Sequence, residues 1–232
     1  MTAGLRRLRR ERRDDRGITL AELLVTMTLL AIMSAIIVSF MSTISRSFTE
    51  DTAATDSTNV AASGMNELTR VIRSGTELRL TGGGTVNAPV FVNATGNDAT
   101  LYAYIDTNSA TPAPVKVRFS IDSQRRLVET RWNATTTTTP WAFVAVATPS
   151  YSRIVARSIP VGSVPMFTYL DVLGHVLTPA SGTFTTTELK TIAAVQIELT
   201  VQADGTDRAN PVTIRNAVSL PNLGISRVGP PT

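Results

Sequence analysis

The sequence predicts an α+β protein in which one long N-terminal helix, first membrane-spanning and then amphipathic, packs on a largely antiparallel β-sheet domain. Three observations carry this prediction. No charged residue occurs at positions 23–45, and no proline precedes Pro89. After Gly75 the apolar residues alternate with polar ones, which is the two-residue period of half-buried strands. A long helix followed by several short strands indicates an α+β organisation.

The uncharged segment is long enough to cross a membrane. Its 23 positions are apolar on nearly every side, and at about 1.5 Å per residue they extend about 30 Å or more, the thickness of a bilayer's hydrocarbon core. Arginines are frequent before the segment, and the next one after it is Arg46. This asymmetry predicts a single-pass protein of the cytoplasmic membrane, with its N-terminus in the cytoplasm and its C-terminal domain outside.

All net basicity lies in the first seventeen residues. Residues 1–17 hold seven arginines and three acids, a net charge of +4, and the whole chain, with 22 basic and 18 acidic side chains, also has a net charge of +4. Residues 18–232 therefore carry 15 charges of each sign. A disordered basic arm that binds nucleic acid is one interpretation of such a terminus. The membrane segment directly behind it favours a topology signal instead, and no nucleic-acid partner is predicted.

Cysteine and histidine usage excludes several kinds of chemistry. The chain has no cysteine and one histidine, His175, which excludes a disulfide framework and a cysteine nucleophile and argues against a histidine metal cluster or a Ser-His-Asp triad. No pair of carboxylates stands in a catalytic setting. Asp204 and Asp207 offer oxygen ligands for calcium, but a polar turn between two strands explains them better. We predict a protein without enzymatic activity, cofactor or metal.

Glu22 is an acid at the very start of the apolar run. An ionisable group at the edge of a membrane span is costly and tends to mark function, although a side chain so near the helix end can also simply reach the headgroups. The segment has three interpretations: a secretory signal, an uncleaved anchor, or a span in which Glu22 has a partner. The run is longer than the roughly 7–15 apolar residues of a signal peptide, and the sequence here matches the small-residue cleavage site of such a peptide poorly. Both observations argue against a secretory signal.

The residues around Glu22 favour the third interpretation. They read Arg16-Gly17-Ile18-Thr19-Leu20-Ala21-Glu22-Leu23-Leu24. This run resembles the cleavage and methylation motif of type IV prepilins and their pseudopilin relatives. In that motif a basic leader ends in glycine. The glycine is followed by an apolar residue, Thr, Leu, any residue and Glu, and then by a long apolar helix. The resemblance covers residues 6–45. Ile18 departs from the phenylalanine most often found at its position, and the leader is denser in arginine.

The resemblance implies processing and assembly. A prepilin peptidase would cut between Gly17 and Ile18 and methylate the new amine of Ile18. Glu22 would then pair with the Ile18 amine of a neighbouring subunit, a contact that is strong in low dielectric and favours the correct stagger of the helices. The implied partners are the prepilin peptidase, other pilin or pseudopilin subunits, the inner-membrane assembly platform and membrane lipid. The implied final location is a pilus, a pseudopilus or the cell surface.

Helical character continues behind the membrane segment. Residues 46–74 contain no proline and carry an imperfect amphipathic stripe, and Gly75 is a suitable C-terminal cap. Unbroken, the helix would extend from Ile18 to Ser74. The alternative is two helices with a short break at Gly64 or within residues 51–59.

Alternating patterns predict the strands of the second half. The clear patterns lie at residues 115–121, 195–201 and 212–218, and the weaker ones at 101–106, 127–132, 142–147, 151–158 and 166–170. Trp132 and Trp141 are interpreted as core or interface residues, and the threonine runs at 135–139 and 185–187 as exposed loops. Residues 164–174 form a Phe-x-Tyr-x-Asp…Gly hairpin pattern, which resembles the larger J-type minor pseudopilins and related minor pilins.

The predicted organisation has five parts: a cleaved basic leader (1–17), a transmembrane and filament-core helix (18–45), its amphipathic continuation (46–75), an extracytoplasmic β-rich domain (76–221) and a flexible tail (222–232). The resemblance implies a minor pilin or pseudopilin that assembles through its N-terminal helix into a type IV pilus or a type II secretion pseudopilus, with the initiating tip complex as a candidate place. An uncleaved single-pass protein with an extracytoplasmic β-rich binding domain and a secreted protein with an unusual signal peptide remain as alternatives.

Overall fold

The computed structural model describes residues 18–105, 110–163, 165–202 and 210–223. The elements are helix α1 (Leu20–Arg73), strands β1 (Phe91–Ala94), β2 (Asp98–Ala103), β3 (Val115–Ile121), β4 (Leu127–Asn133), β5 (Tyr151–Ala156) and β6 (Phe167–Leu170), helix α2 (Thr186–Leu189), and strands β7 (Ala194–Val201) and β8 (Val212–Ser219). The predicted α+β class, a long apolar N-terminal helix followed by antiparallel sheets in a pilin-like arrangement, is confirmed. The chain divides into two compact units between Thr49 and Glu50.

Helix α1 is continuous over 54 residues, so the alternative of two helices with a break near residue 51–59 or 64 is wrong. The polar residues of this stretch do not interrupt the helix because their hydroxyls bond to its own carbonyls. Thr55 Oγ1 donates to Asp51 O at 2.9 Å, and Ser57 Oγ donates to Ala53 O at 2.8 Å. The helix ends at Arg73, one residue before the predicted end.

The second unit contains two antiparallel sheets. One is a five-stranded meander in the order β1-β2-β3-β4-β5, and the other has three strands in the order β6-β7-β8. Along the first sheet Leu101 lies opposite Val117, and Phe119 lies opposite Glu129. These four side chains are fully buried, so one face of the sheet belongs to the core while the intervening residues point to the other face.

The main core joins the C-terminal part of α1 to both sheets. Leu68 and Ile72 of the helix are fully buried together with Phe119 of the first sheet and Leu199 of the second. The helix approaches closely because it has no side chain at Gly64, where a Cβ atom would lie 2.9 Å from Leu199 Cδ2 and 3.3 Å from Ala156 Cβ. Gly64 is therefore a packing position, and this explains why the helix tolerates it.

Ion pairs add a polar contact between α1 and the first sheet. Glu129 on β4 is fully buried, and its two oxygens accept from Arg131 Nε at 2.5 Å and from Arg153 Nε at 2.7 Å. Both arginines also contact Glu67 of α1, at 3.2 Å and 2.6 Å. Partial burial acts to raise the pKa of Glu67, but the hydrogen bonds and charges of Arg70 and Arg153 outweigh it and lower that pKa below its ordinary value.

Most strand predictions agree with the structure, and three regions differ. Residues 142–147 form no strand, because the neighbouring backbone bridges go to two different segments, Trp141 to Leu80 and Phe143 to Ala134. The sequence analysis did not predict β1, in which a register shift between Phe91 and Asn93 disrupts the alternation. It also interpreted the threonine run 185–187 as an exposed loop, whereas the short helix α2 begins there, at Thr186.

Candidate processing and assembly site

Ile18 is the residue that follows the predicted cut. Gly17 and the leader 1–17 lie outside the described residues, as do Asp204 and Asp207, position 164 and residues 224–232 of the predicted tail. Ile18 is 73% exposed and precedes the first helical residue, Leu20. Its backbone is therefore positioned just before the helix, where a new amine would arise from a cut at this place.

Thr19 and Glu22 form a reciprocal pair of hydrogen bonds at the start of α1. The backbone N–H of Glu22 donates to Thr19 Oγ1 at 3.3 Å, and the backbone N–H of Thr19 donates to Glu22 Oε2 at 3.5 Å. The Thr19 hydroxyl also donates to Glu22 Oε2, at 3.4 Å. This is a capping box, in which a threonine before the helix and a glutamate three residues later satisfy each other's backbone donors.

The capping box gives Glu22 a local role that the sequence analysis missed. The signal was present, because Thr-x-x-Glu before an apolar run is a known helix-start pattern. The carboxylate also lies at the positive end of the helix dipole, where an anion is favoured. Its hydrogen bonds of 3.3–3.5 Å are long, so a cation placed at the helix start would compete for Glu22 effectively.

The first unit presents an unbroken apolar helix surface. The most apolar 18-residue window of α1 has a mean hydropathy of 2.5, and none of it is buried. By length and composition this helix can cross a membrane, as the sequence predicts. Thr26 Oγ1 donates to Leu23 O at 2.9 Å and Thr28 Oγ1 to Leu24 O at 2.8 Å, so these hydroxyls do not need a partner from outside the helix.

The two tryptophans and the histidine that the sequence analysis considered lie in the core and in a turn. Trp132 and Trp141 are 4% and 7% exposed, and Trp132 Nε1 donates to Val146 O at 3.1 Å, which confirms a core role. His175 lies in the turn after β6, where its exposed ring is 3.3 Å from Asp171 Oδ2. The backbone N–H of His175 bonds to Asp171, and this bond, with that from Leu173, lowers the pKa of the Asp171 carboxyl.

Comparison with known proteins identifies the N-terminal region. Residues 12–38 match the family model described as the prokaryotic N-terminal methylation motif. No curated protein matches the chain at a significant level. The matched range contains the predicted cut, the capping box and the larger part of the apolar run, so the comparison supports a type IV pilin-like or pseudopilin-like N-terminus. Such a motif implies processing by a prepilin peptidase and assembly with other pilins in general.

Proposed function

We propose that this protein is a minor pilin or pseudopilin subunit that assembles through α1 into a type IV pilus or a type II secretion pseudopilus, at the initiating tip complex. The observation that carries the proposal is the register of Gly17, Glu22 and the exposed apolar helix inside the matched range 12–38. The β6 strand, the turn at Gly174 (φ +83°) and the bridge between Leu170 and Val176 give the described part of the J-type pattern, residues 165–174, a hairpin geometry, which supports the minor subtype.

In the proposed mechanism, cleavage changes the partner of Glu22. The peptidase releases the leader, and the amine of Ile18 becomes a cation next to the positive end of the helix, where it is unfavourable unless an anion is near. Glu22 of a neighbouring subunit neutralises this amine in the apolar filament core. An unpaired carboxylate would be strongly penalised there, so only helices in the correct stagger remain together.

The processing step is tested by the mature N-terminus. Protein extracted from membranes of cells with an active prepilin peptidase is expected to begin at Ile18 and to carry one additional methyl group, measured by N-terminal sequencing and intact mass. Gly17→Val is the control, because its branched side chain adds bulk at a position where a small residue would be needed to enter a narrow peptidase cleft; this variant should keep Met1. Recovery of the unaltered chain with Met1 intact in the same cells would refute the proposal.

An uncleaved membrane anchor with an outer binding domain is the second candidate. The capping box favours it to a degree, since Glu22 has a use at the helix start without any partner. The two functions differ in what they require of Glu22: an anchor needs only the cap, whereas a filament subunit needs the negative charge.

A further inference from the structure

A cleft in the second unit is lined by polar residues alone. The turn between β3 and β4, the segment after β5 and the residue that follows β7 enclose a volume of about 340 Å³. The lining residues are Gln124, Arg125, Arg126, Arg157, Ser158 and Gln202. Pockets of about 300–1,000 Å³ hold small organic ligands. The cleft therefore has room for a small ligand, and its lining suits a polar one.

Main-chain contacts fix the walls of this cleft. Ile159 N donates to Arg125 O at 3.0 Å, and Gln202 N donates to Ser158 O at 2.9 Å. These two hydrogen bonds join the three segments without using the side chains that line the cleft. The side chains are therefore held at a prepared place and stay available for a ligand.

The cleft contains both non-glycine residues with positive φ in the described chain. These are Arg125 at 59° and Ser158 at 58°. The left-handed region costs an L-residue about 1 kcal/mol or more, and such strain is concentrated at functional sites. At position 125 the chain keeps a long cationic side chain, and Arg125 Nε donates to Ile159 O at 2.6 Å. The strained turn thus holds the guanidinium of Arg125 against the segment after β5.

Positive charge exceeds negative charge in the cleft. Arg126 pairs with Asp122 at 2.7 Å, whereas neither Arg125 nor Arg157 has a described carboxylate within ion-pair distance. Asp56 lines an adjoining groove together with Arg157 but forms no ion pair with it. Among the described residues, three arginines therefore face one paired acid and one neighbouring acid, and the cleft attracts an anion.

The hydrogen-bond donors of the cleft indicate which anion fits. A guanidinium carries five N–H donors and no acceptor. Arg125, which is half-buried, uses one of its donors on a described residue, and the exposed Arg157 uses none. One guanidinium fork is enough for the two oxygens of a carboxylate. A phosphate monoester presents three strong acceptor oxygens and a charge of about −1.5 to −2, so it can engage both arginines at once.

We propose that the Arg125–Arg157 cleft is a binding site for a phosphate monoester, whose terminal oxygens accept from both guanidinium groups. The site recognises the phosphate and the small organic group next to it, and the ligand is either a soluble ester or the headgroup of a lipid. The proposal is independent of the processing of the N-terminus and of assembly. It also gives the arginine at the strained position 125 a purpose.

Calorimetric titration of the full chain in a neutral detergent tests the site, with glycerol 3-phosphate as the probe. Saturable binding is expected. Glycerol is the uncharged control and should not bind, and succinate, which carries carboxylates only, should bind at least about tenfold more weakly, because it engages fewer donors. Binding of succinate as tight as that of glycerol 3-phosphate would overturn the assignment to phosphate.

Three substitutions locate the bound phosphate. Arg125→Gly removes the guanidinium and relieves the positive φ, and Arg157→Gln removes an exposed one, so both variants should keep the thermal unfolding temperature. Each should weaken binding about tenfold or more, since each removes charge-assisted hydrogen bonds. Arg79→Gln is the matched control, because Arg79 is exposed and its Nε also donates to a carbonyl, Gly84 O at 3.2 Å, outside the cleft. Equal affinity of all three variants would overturn the proposal.

Two further samples identify the source of the phosphate and exclude an internal ligand. In phosphatidylcholine nanodiscs, a higher unfolding temperature on addition of phosphatidic acid, lost in Arg125→Gly and Arg157→Gln, shows that the site takes the ester from lipid; a response to glycerol 3-phosphate alone shows that it takes a soluble one. The variant Asp204→Asn with Asp207→Asn should bind glycerol 3-phosphate as the wild-type chain does. Binding by this variant only would mean that these acids occupy the cleft, and the proposal would fail.

Discussion

At the scale of single residues, Glu22 illustrates how one carboxylate can serve two states of a chain. Before cleavage it caps α1 by accepting from the backbone of Thr19. After the proposed cut, a cationic amine arises four residues before it, and this donor adds the attraction between two opposite charges, which the backbone N–H and hydroxyl donors of the cap lack. The cap therefore keeps Glu22 in place at the helix start until a stronger partner is present.

Two substitutions separate these roles. Glu22→Gln keeps the size and the capping capacity of the side chain, since glutamine also completes a capping box, but it removes the charge. We expect Glu22→Gln and Glu22→Ala to lose incorporation into filaments equally, measured as the fraction of protein in sheared surface material, while both are still cleaved at Ile18. Normal incorporation of Glu22→Gln would show that only the cap matters and would favour the uncleaved or unpaired interpretation.

A substitution of the buried Glu129 tests what its ion pairs contribute to stability. Hydrogen bonds to a charged group contribute about 1.5–3 kcal/mol each; Glu129 accepts two of them, from Arg131 and Arg153, while both arginines would keep their contacts with Glu67. Glu129→Gln should therefore lower the free energy of unfolding of the full chain by about 3 kcal/mol in denaturant titrations. Glu198→Gln is the control, because its pair with Arg215 at 2.8 Å involves an arginine that is 67% exposed, and such pairs contribute about 1 kcal/mol or less. Equal effects of the two variants would contradict the structure.

The pH dependence of stability provides a third prediction for single residues. Because the folded state lowers the pKa of Glu67 below the ordinary 4.5, the unfolded state binds more protons in acid. The stability that Glu67 contributes is therefore complete above pH 4.5 and is lost as the pH falls through the folded pKa. The unfolding temperature of the wild-type chain should exceed that of Glu67→Gln at pH 6, and the difference should shrink progressively below pH 4.5. A difference that persists unchanged to pH 3 would argue against this assignment.

At the scale of elements, the continuity of α1 depends on packing as well as on helix propensity. Gly64 is unfavourable by about 1 kcal/mol in a helix relative to alanine, yet the helix passes through it because Leu199 and Ala156 occupy the space of the missing side chain. The same contact joins the helix to both sheets. A single glycine thus sets how closely the three layers approach.

Enlarging this position should separate the helix from the sheets. Gly64→Leu is expected to destabilise the second unit by on the order of 1–3 kcal/mol or more through overpacking, measured as a fall in the thermal unfolding temperature. Asn66→Leu places the same side chain on an exposed position of the same helix and should have little effect. Similar behaviour of the two variants would mean that α1 does not approach the sheets at Gly64.

The elements that the sequence predicts well are those whose signal is local. The apolar run, the helix end near Gly75 and strand β7, with its strict alternation of Val195 and Ile197 against Gln196 and Glu198, need no knowledge of the partners. The prediction of a strand at residues 142–147 is wrong because only Phe143 packs in the small second cluster around Trp141, whereas Val146 is 67% exposed. The burial of Glu129 was not predictable, since only the pairing with Arg131 and Arg153 in three dimensions allows it.

At the scale of the whole molecule, the net charge of the chain lies in the leader and not in residues 18–232. Residues 1–17 carry a net charge of +4, which equals the net charge of the full sequence. The pI of the full sequence is about 9.9. Residues 18–232 are balanced in charged side chains. Proteins far from neutrality repel one another, so removal of the leader would also remove a repulsion between chains in the membrane.

Loss of the leader can be measured as a change in the isoelectric point of the chain. In isoelectric focusing, the chain from cells with an active peptidase should move from its basic position towards neutrality, whereas the Gly17→Val chain should stay near pI 9.9. The expected shift is large because the two forms differ by four net charges. One unchanged basic species in both cases would exclude cleavage of the leader.

The edge of the five-stranded sheet has a consequence for the way such molecules associate. Strand β5 carries one extra residue, because Leu127 and Val128 lie opposite Ala156 and Ile154 and leave Val155 without an opposite residue. A bulge of this kind bends an edge strand and makes it a poor template for another chain. Crowded copies would therefore pair poorly along β5, and continuous strand pairing is the route to irreversible aggregates. In the proposed filament, association through the helices would stay reversible, so a subunit that leaves the filament could be used again.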